Sequence, residues 1–238
     1  MLDNSTVRAN IARVREEIAR AARAAGRPAP LLLAATKTVP AEQINFAVKE
    51  CGVTAIGENR VQELLEKYPQ LEGGAKLHFI GRLQRNKVKY IADKVDMIES
   101  VDSVPLAQEI EKQAKKHNRV IDVLLEVNTG REEQKGGFMP EELESALAEI
   151  APLPHLHVCG LMAVSPVTQK SEEKSRYFEE TYQKFIDISA KKLHNIDMNV
   201  LSMGMTDSYS EAIAAGSTEV RLGSALFGRR DITPKEEK

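Results

Sequence analysis

The chain has 238 residues, 42% hydrophobic and 29% charged, enough apolar material for two small domains or one barrel-sized domain under a soluble surface. Lys and Arg number 33 against 35 Asp and Glu, a net charge of -2, so nothing global points to nucleic acid or an anionic membrane; Trp is absent, which argues against stacking platforms for single-stranded nucleic acid. Cys51 and Cys159 make no disulfide framework, no apolar stretch approaches the roughly 20 residues of a membrane helix, and the N-terminus lacks a signal peptide's apolar region, so a cytoplasmic monomer without nucleic-acid or membrane partners is expected.

Leu2, Val7, Ile11, Val14, Ile18 and Ala22 recur at helical spacing and predict an amphipathic helix over about 3–26, stopped by Gly26 and Pro28. A two-part pattern then repeats, a short apolar run followed by a charged, helix-periodic run. The apolar runs are Leu31–Thr36, Val53–Gly57, Leu77–Gly81, Val95–Val101, Ile121–Asn128, Leu156–Val164, Asn199–Met203 and Glu219–Gly223. The helical stretches between them are Ala41–Glu50, Val61–Lys67, Leu83–Ala92, Val104–His117, Glu141–Ile150, Lys174–Leu193 and Ser208–Ala214. Strands alternating with helices argue for a parallel sheet, and eight units in this length fit an α/β chain forming a single (β/α)8 TIM-type barrel over about 31–230, with an additional N-terminal helix. An open doubly wound sheet would carry a glycine fingerprint in its first strand–helix turn, where this chain has Thr36-Lys37-Thr38-Val39-Pro40. No linker or repeat divides residues 1–238, and the polar end Thr233–Lys238 is expected to fray.

In such a barrel the strand C-termini form the active face. The first strand delivers Lys37, and a lysine desolvated there would lose its proton more easily and become a nucleophilic amine suited to a Schiff base with a carbonyl. The seventh and eighth strands deliver Ser202, Met203 and Gly204, and Gly223 and Ser224. Small hydroxyl residues and glycines at strand-to-helix turns suit a phosphate, although glycines that only cap tight turns fit equally well. Arg221 lies near the end of the last strand, where a guanidinium must find acceptors: a salt bridge to Glu219 or Glu99, or a heterocyclic ring nitrogen. An amine, a phosphate cup and a ring-nitrogen partner together describe one ligand, pyridoxal 5'-phosphate (PLP), with Asn59 placed to hydrogen-bond its ring hydroxyl.

The segment Leu77-His78-Phe79-Ile80-Gly81-Arg82-Leu83-Gln84-Arg85-Asn86-Lys87 resembles the signature of the pyridoxal phosphate homeostasis protein family. The resemblance extends to Thr36-Lys37, Gly57-Glu58-Asn59-Arg60, Leu201-Ser202-Met203-Gly204-Met205 and Val220-Arg221-Leu222-Gly223, and covers nearly the whole chain. It implies a barrel like the N-terminal domain of alanine racemase, PLP on Lys37, Arg221 facing the ring nitrogen, and a role in PLP supply and vitamin B6 balance, with apo PLP-dependent enzymes as recipients.

A PLP lysine does not by itself make an enzyme. Racemisation needs acid–base groups on both faces of the substrate carbon. Alanine racemase takes its second group, a tyrosine, from an additional C-terminal domain that is not expected after the eighth strand here. Tyr209 is the one tyrosine expected near the active face. An arginine at the ring nitrogen leaves the pyridine unprotonated and weakens PLP's electron sink. A holder of PLP without strong catalysis and without catalytic residues is therefore expected; the alternative is a PLP-dependent amino-acid racemase, and a Schiff-base aldolase on the same barrel is more remote. His155 and His157 have no clear third ligand and make a poor zinc site, so no metal is expected. His78 reads as a hydrogen-bonded core histidine. Arg82, Arg85, Lys87 and Lys89 read as a solvated basic helix face, with Arg82 and Lys87 open to an anionic partner. The loop from Thr129 to Gly137 reads as a mobile surface loop, or as a lid bearing Lys135 as a second amine.

Overall fold

A computed structural model describes residues 2–132, 134–166, 168 and 170–228. The expected tail Thr233–Lys238 and the last two residues assigned to the barrel, 229–230, lie outside them. Eight parallel strands close into a barrel in sequence order: β1 (Leu31–Ala35), β2 (Ala55–Glu58), β3 (Lys76–Phe79), β4 (Met97–Val101), β5 (Ile121–Val127), β6 (Leu156–Ala163), β7 (Ile196–Met203) and β8 (Glu219–Leu222). Closure is made by β1 against β8, with Leu31 opposite Glu219 and Leu33 opposite Arg221. The α-helices are α1 (Asn4–Ala24), α2 (Ala41–Cys51), α3 (Val61–Lys67), α4 (Val104–Lys116), α5 (Leu143–Ile150), α6 (Ser171–Ala190), α7 (Tyr209–Ala215) and α8 (Ser224–Phe227). No helix among the described residues is long and apolar enough to cross a membrane.

The N-terminal helix forms where its apolar spacing places it. Asp3 caps it by accepting a hydrogen bond from the Thr6 N–H at 2.8 Å. Its apolar face, Val7, Ile11, Val14, Ile18 and Ala22, is buried against α2, α7 and α8. Arg15 reaches from its other flank to the carbonyls of Cys51 and Gly52, both at 2.6 Å, and so satisfies the C-terminal end of α2.

One predicted helix takes a different form. The stretch Leu83–Ala92 contains a 310 segment, Arg85–Tyr90, in place of an α-helix. Val88 and Ile91 are both fully buried and stand three residues apart, the spacing that eclipses in a 310 turn, and Gln84 makes no side-chain cap. The short α8 follows the last strand at the expected strand-to-helix turn, and β7 starts three residues before the run expected at Asn199.

The β6 strand carries a bulge. Val123 pairs with Val158 and Leu124 with Gly160, so Cys159 is the extra residue. Gly160 has φ +153, and a Cβ there would sit 1.7 Å from the Val200 carbonyl oxygen. Because that neighbour is β7 backbone, it cannot yield. Gly160→Ala is expected to cost about 3 kcal/mol or more of unfolding free energy, at the top of the range for overpacking, measured by urea denaturation; a cost below 1 kcal/mol would mean the strands can separate here without loss.

Candidate functional site

Lys37 follows β1 by two residues and stands at the C-terminal mouth of the barrel. Its side chain is exposed; the desolvated lysine expected there is not what the fold makes. Among the described residues the buried lysine is Lys67, from α3. Its Nζ donates to the Thr36 carbonyl at 2.8 Å, to Glu58 Oε1 at 2.8 Å and to Glu63 Oε1 at 2.6 Å. Thr36 Oγ1 is 2.6 Å from the same Glu58 oxygen, and Glu63 also accepts from the Thr38 N–H. Burial pushes the Glu58 carboxyl up, opposed by Lys67 and Thr36. Lys37 is thus flanked on both sides by residues tied to one ion-pair cluster. Thr38 is held at φ +62, unusual for a β-branched residue.

Arg221 is buried inside the barrel. Its NH1 donates to Ser202 Oγ at 2.7 Å and its NH2 to the Ala163 carbonyl at 3.0 Å. Ser202 Oγ is also 2.7 Å from Glu99 Oε2 and 2.7 Å from Glu219 Oε1, and Glu99 Oε1 is 2.7 Å from His78 Nδ1. The Ser202 hydroxyl therefore belongs to this interior lattice and does not face the mouth; the hydroxyl role expected of it in a phosphate cup is corrected, and only its backbone remains for that purpose. Although burial opposes it, the His78 hydrogen bond and the Arg221 charge hold Glu99 below the usual carboxylate range. Although burial opposes it, the Glu99 hydrogen bond and charge hold the His78 imidazole above its ordinary value. Burial, reinforced by Glu99, pushes Glu219 up to about 8.

The turns after β7 and β8 meet at the mouth. Thr206 Oγ1 and Ser224 Oγ are 3.0 Å apart and bridge the two loops. Gly204 has φ +92, and a Cβ there would meet Ala212 Cβ at 2.7 Å and Tyr209 Cα at 2.9 Å, so the close packing of α7 alone demands glycine. The Met203 side chain is buried in the core, leaving its backbone for the turn. Gly223 precedes α8, whose first N–H groups have no partner within the helix. Across the mouth, Asn59 Oδ1 is buried without a hydrogen-bond partner, and so is Thr129 Oγ1 at the end of β5. Orphaned buried acceptors of this kind ask for a ligand or water donor. Lys37, Asn59, Arg221, Gly223 and Ser224 are thus brought to one end of the barrel, with Thr206 as an addition. Thr206 lies in the turn the sequence singled out, but a lone threonine gives no signal there without its partner Ser224.

One other expectation is revised. Tyr209 turns to the outside, its hydroxyl donating to Glu17 on α1 at 2.8 Å; burial and that glutamate push it up to about 12, so it is no acid for the barrel mouth. Arg82, Arg85 and Lys89 are exposed, the solvated basic face expected, while Arg82, Arg85 and Lys87, with Arg60, also line a cleft of about 740 Å³ beside Asn59. The Thr129–Gly137 loop, of which Glu133 lies outside the described residues, makes surface ion pairs, Arg131 with Glu141 at 2.6 Å and Glu180 at 2.8 Å, and Phe138 beyond it bonds back to Glu126 and Asn128. Lys135 pairs with Glu132. His78 is the hydrogen-bonded core histidine expected.

The lattice makes stability depend on pH. The carboxyl of Glu219 is held near about 8 in the fold, against 4.5 unperturbed. Between those values the fold keeps a proton that the unfolded chain has released, so stability falls as pH rises through this window and levels above it. Glu219→Gln, which mimics the protonated acid, is expected to flatten that fall by a few kcal/mol, read by denaturant titration across the window; parallel pH profiles for the two proteins would contradict the assignment.

The family model for the N-terminal domain of alanine racemase matches residues 3–231. A pyridoxal phosphate homeostasis protein of Aquifex aeolicus is 44% identical over 223 residues, covering 92% of this chain and 96% of its own length. The crystal structure of an unknown protein from Bifidobacterium adolescentis superposes with a TM-score of 0.90 at 35% identity, covering 95% of this chain and 98% of the other. PipY of Synechococcus elongatus, in a structure with PLP bound, superposes with a TM-score of 0.82 at 28% identity over 93% of this chain and all of its own. With a closed eight-stranded barrel of this kind and relatives matched from end to end, the chain belongs to the pyridoxal phosphate homeostasis protein family, within the alanine racemase N-terminal-domain barrels.

Proposed function

We propose that this protein binds PLP at the C-terminal mouth of its barrel, with Lys37 as the amine that condenses with the aldehyde and releases water. It holds the cofactor for supply to apo PLP-dependent enzymes, acting as a monomer and without strong catalysis of its own. The observation that carries the reading is the register of β1 against β8. Leu33 lies opposite Arg221 and Ala34 opposite Leu222. Lys37, Arg221, Gly223 and Ser224 therefore project from two adjacent strand ends, an amine, a fixed cation and a turn rich in N–H groups within one mouth.

The residues present fit that ligand. The orphaned Asn59 Oδ1 can accept from its ring hydroxyl. Ser224 and Thr206, with the backbone of residues 203, 204, 223 and 224, offer donors to its phosphate. Arg221 keeps its proton at any physiological pH, so it can only donate to the ring nitrogen. PLP supplies an electron sink to catalysis, and that sink is weak when its ring nitrogen is unprotonated. Lys67, Glu58 and Glu63 fix the backbone on either side of Lys37 and leave its amine exposed. Among the described residues no tyrosine is placed to serve as a second acid, since Tyr209 is bound to Glu17. The relatives' shared designation and the PLP-bound PipY structure support the same assignment.

Borohydride reduction of the PLP-loaded protein is expected to fix one PLP on the peptide containing Lys37, and Lys37→Ala is expected to lose the visible absorption band. A label on Lys135, Lys67 or Lys87 in its place would refute the site.

A further inference from the structure

The proposed PLP site uses only the C-terminal end of the barrel. A second group of chemistry-bearing side chains sits at the opposite end. Asp122 is the second residue of β5, His157 of β6 and Asp197 of β7, and Cys159 is the extra residue of the β6 bulge. Asp122 and His157 are direct register partners. His157 Nδ1 lies 2.9 Å from Asp122 Oδ1 and 3.3 Å from Cys159 Sγ. The ligand atoms of these three residues all fall within 4.8 Å of one another. The other ring nitrogen, Nε2, is 2.9 Å from Asp197 Oδ2.

Four features of this arrangement point to a cation. Three different donor types, carboxylate, imidazole and thiol, converge on one point, a set that borderline metals favour. The carboxylate on Nε2 is the partner that ordinarily orients a metal-ligating imidazole and leaves its other nitrogen for the ion. Metal–ligand bonds of about 2.0–2.3 Å in a tetrahedron place donors roughly 3.3–3.7 Å apart; the present spacings of 2.9 and 3.3 Å reach that with a shift of a few tenths of an ångström. Finally, a charge lattice needs only His157 between its two aspartates. The thiol is surplus to that. The Cys159 side chain is covered, whereas those of His157 and Asp122 are 30% and 47% exposed, which leaves a path from the underside of the barrel.

We infer that Asp122, His157 and Cys159 form a three-donor site for a divalent transition metal of the zinc class, with Asp197 orienting His157 and the fourth position open to solvent. The site ties β5, β6 and β7 together at the end of the barrel farthest from Lys37. On binding, the thiol proton and any proton on His157 Nδ1 pass to solvent, and nothing is oxidised or reduced.

Cobalt(II) is the direct probe, because thiolate coordination gives it an intense near-ultraviolet charge-transfer band. Titration of the full-length protein is expected to saturate at one equivalent with that band, and zinc(II) is expected to displace it. Cys159→Ser is expected to lose the band and Cys51→Ser to keep it. Asp197→Asn changes a side chain that is 67% exposed, so it leaves the fold intact; it is expected to keep the band but weaken cobalt affinity 10–100-fold, the usual cost of losing an orienting partner. The inference is overturned if the wild type shows no band, if the band survives Cys159→Ser or disappears in Cys51→Ser, or if Asp197→Asn binds cobalt as tightly as the wild type. None of these readouts depends on PLP.

Discussion

A guanidinium inside the barrel governs how the rest of the interior is arranged. Arg221 cannot shed its charge, and a buried charge left unpaired costs about 3–5 kcal/mol. Its surroundings meet that demand with a neutral hydroxyl and a carbonyl in contact, Ser202 and Ala163, and a carboxylate, Glu99, at 4.0 Å. Two carboxyls meeting at one hydroxyl cannot both ionise in a buried site, so Glu219 keeps its proton and Glu99 carries the charge, balanced by His78. The result is a fixed cation below the mouth, its guanidinium held by Ser202 and the Ala163 carbonyl.

This arrangement separates positioning from chemistry. Lys37 is exposed, yet the backbone around it is held by the Lys67, Glu58 and Glu63 cluster. An exposed amine on a fixed loop is open to a carbonyl from solvent, as a desolvated lysine locked in a pocket would not be. The same contrast holds across the mouth, where Arg221 is rigid and the Thr206–Ser224 bridge is accessible.

Much of this was legible in the sequence. The alternation of apolar and charged runs fixed eight strands in order, and the strand ends named Lys37, Asn59, Arg221 and the two glycine turns. What escaped has identifiable causes. Ser202 is expected at the mouth from its place at a strand end; β7 is eight residues long with an irregular register against β6, and no short motif reveals which face its last residues take. Lys67 sits in a charged helical run where an exposed lysine is the normal expectation, and its burial follows only from the three oxygens gathered around it. The donors around His157 come from β5, β7 and a bulge, contacts that spacing along one strand cannot reveal. Tyr209 follows the turn after β7, but the first turn of α7 aims it at α1.

The central claim is that a ring nitrogen facing Arg221 makes this barrel a holder of PLP and not a catalyst. The most direct measurement is a panel of racemase and transaminase assays on natural amino acids at full PLP occupancy, with Lys37→Ala as the control. The account predicts turnover far below the ordinary enzyme range of roughly 1–10³ s⁻¹ on every substrate, with at most slow exchange of the α-proton. A kcat within that range on any natural amino acid, abolished in Lys37→Ala, would contradict it.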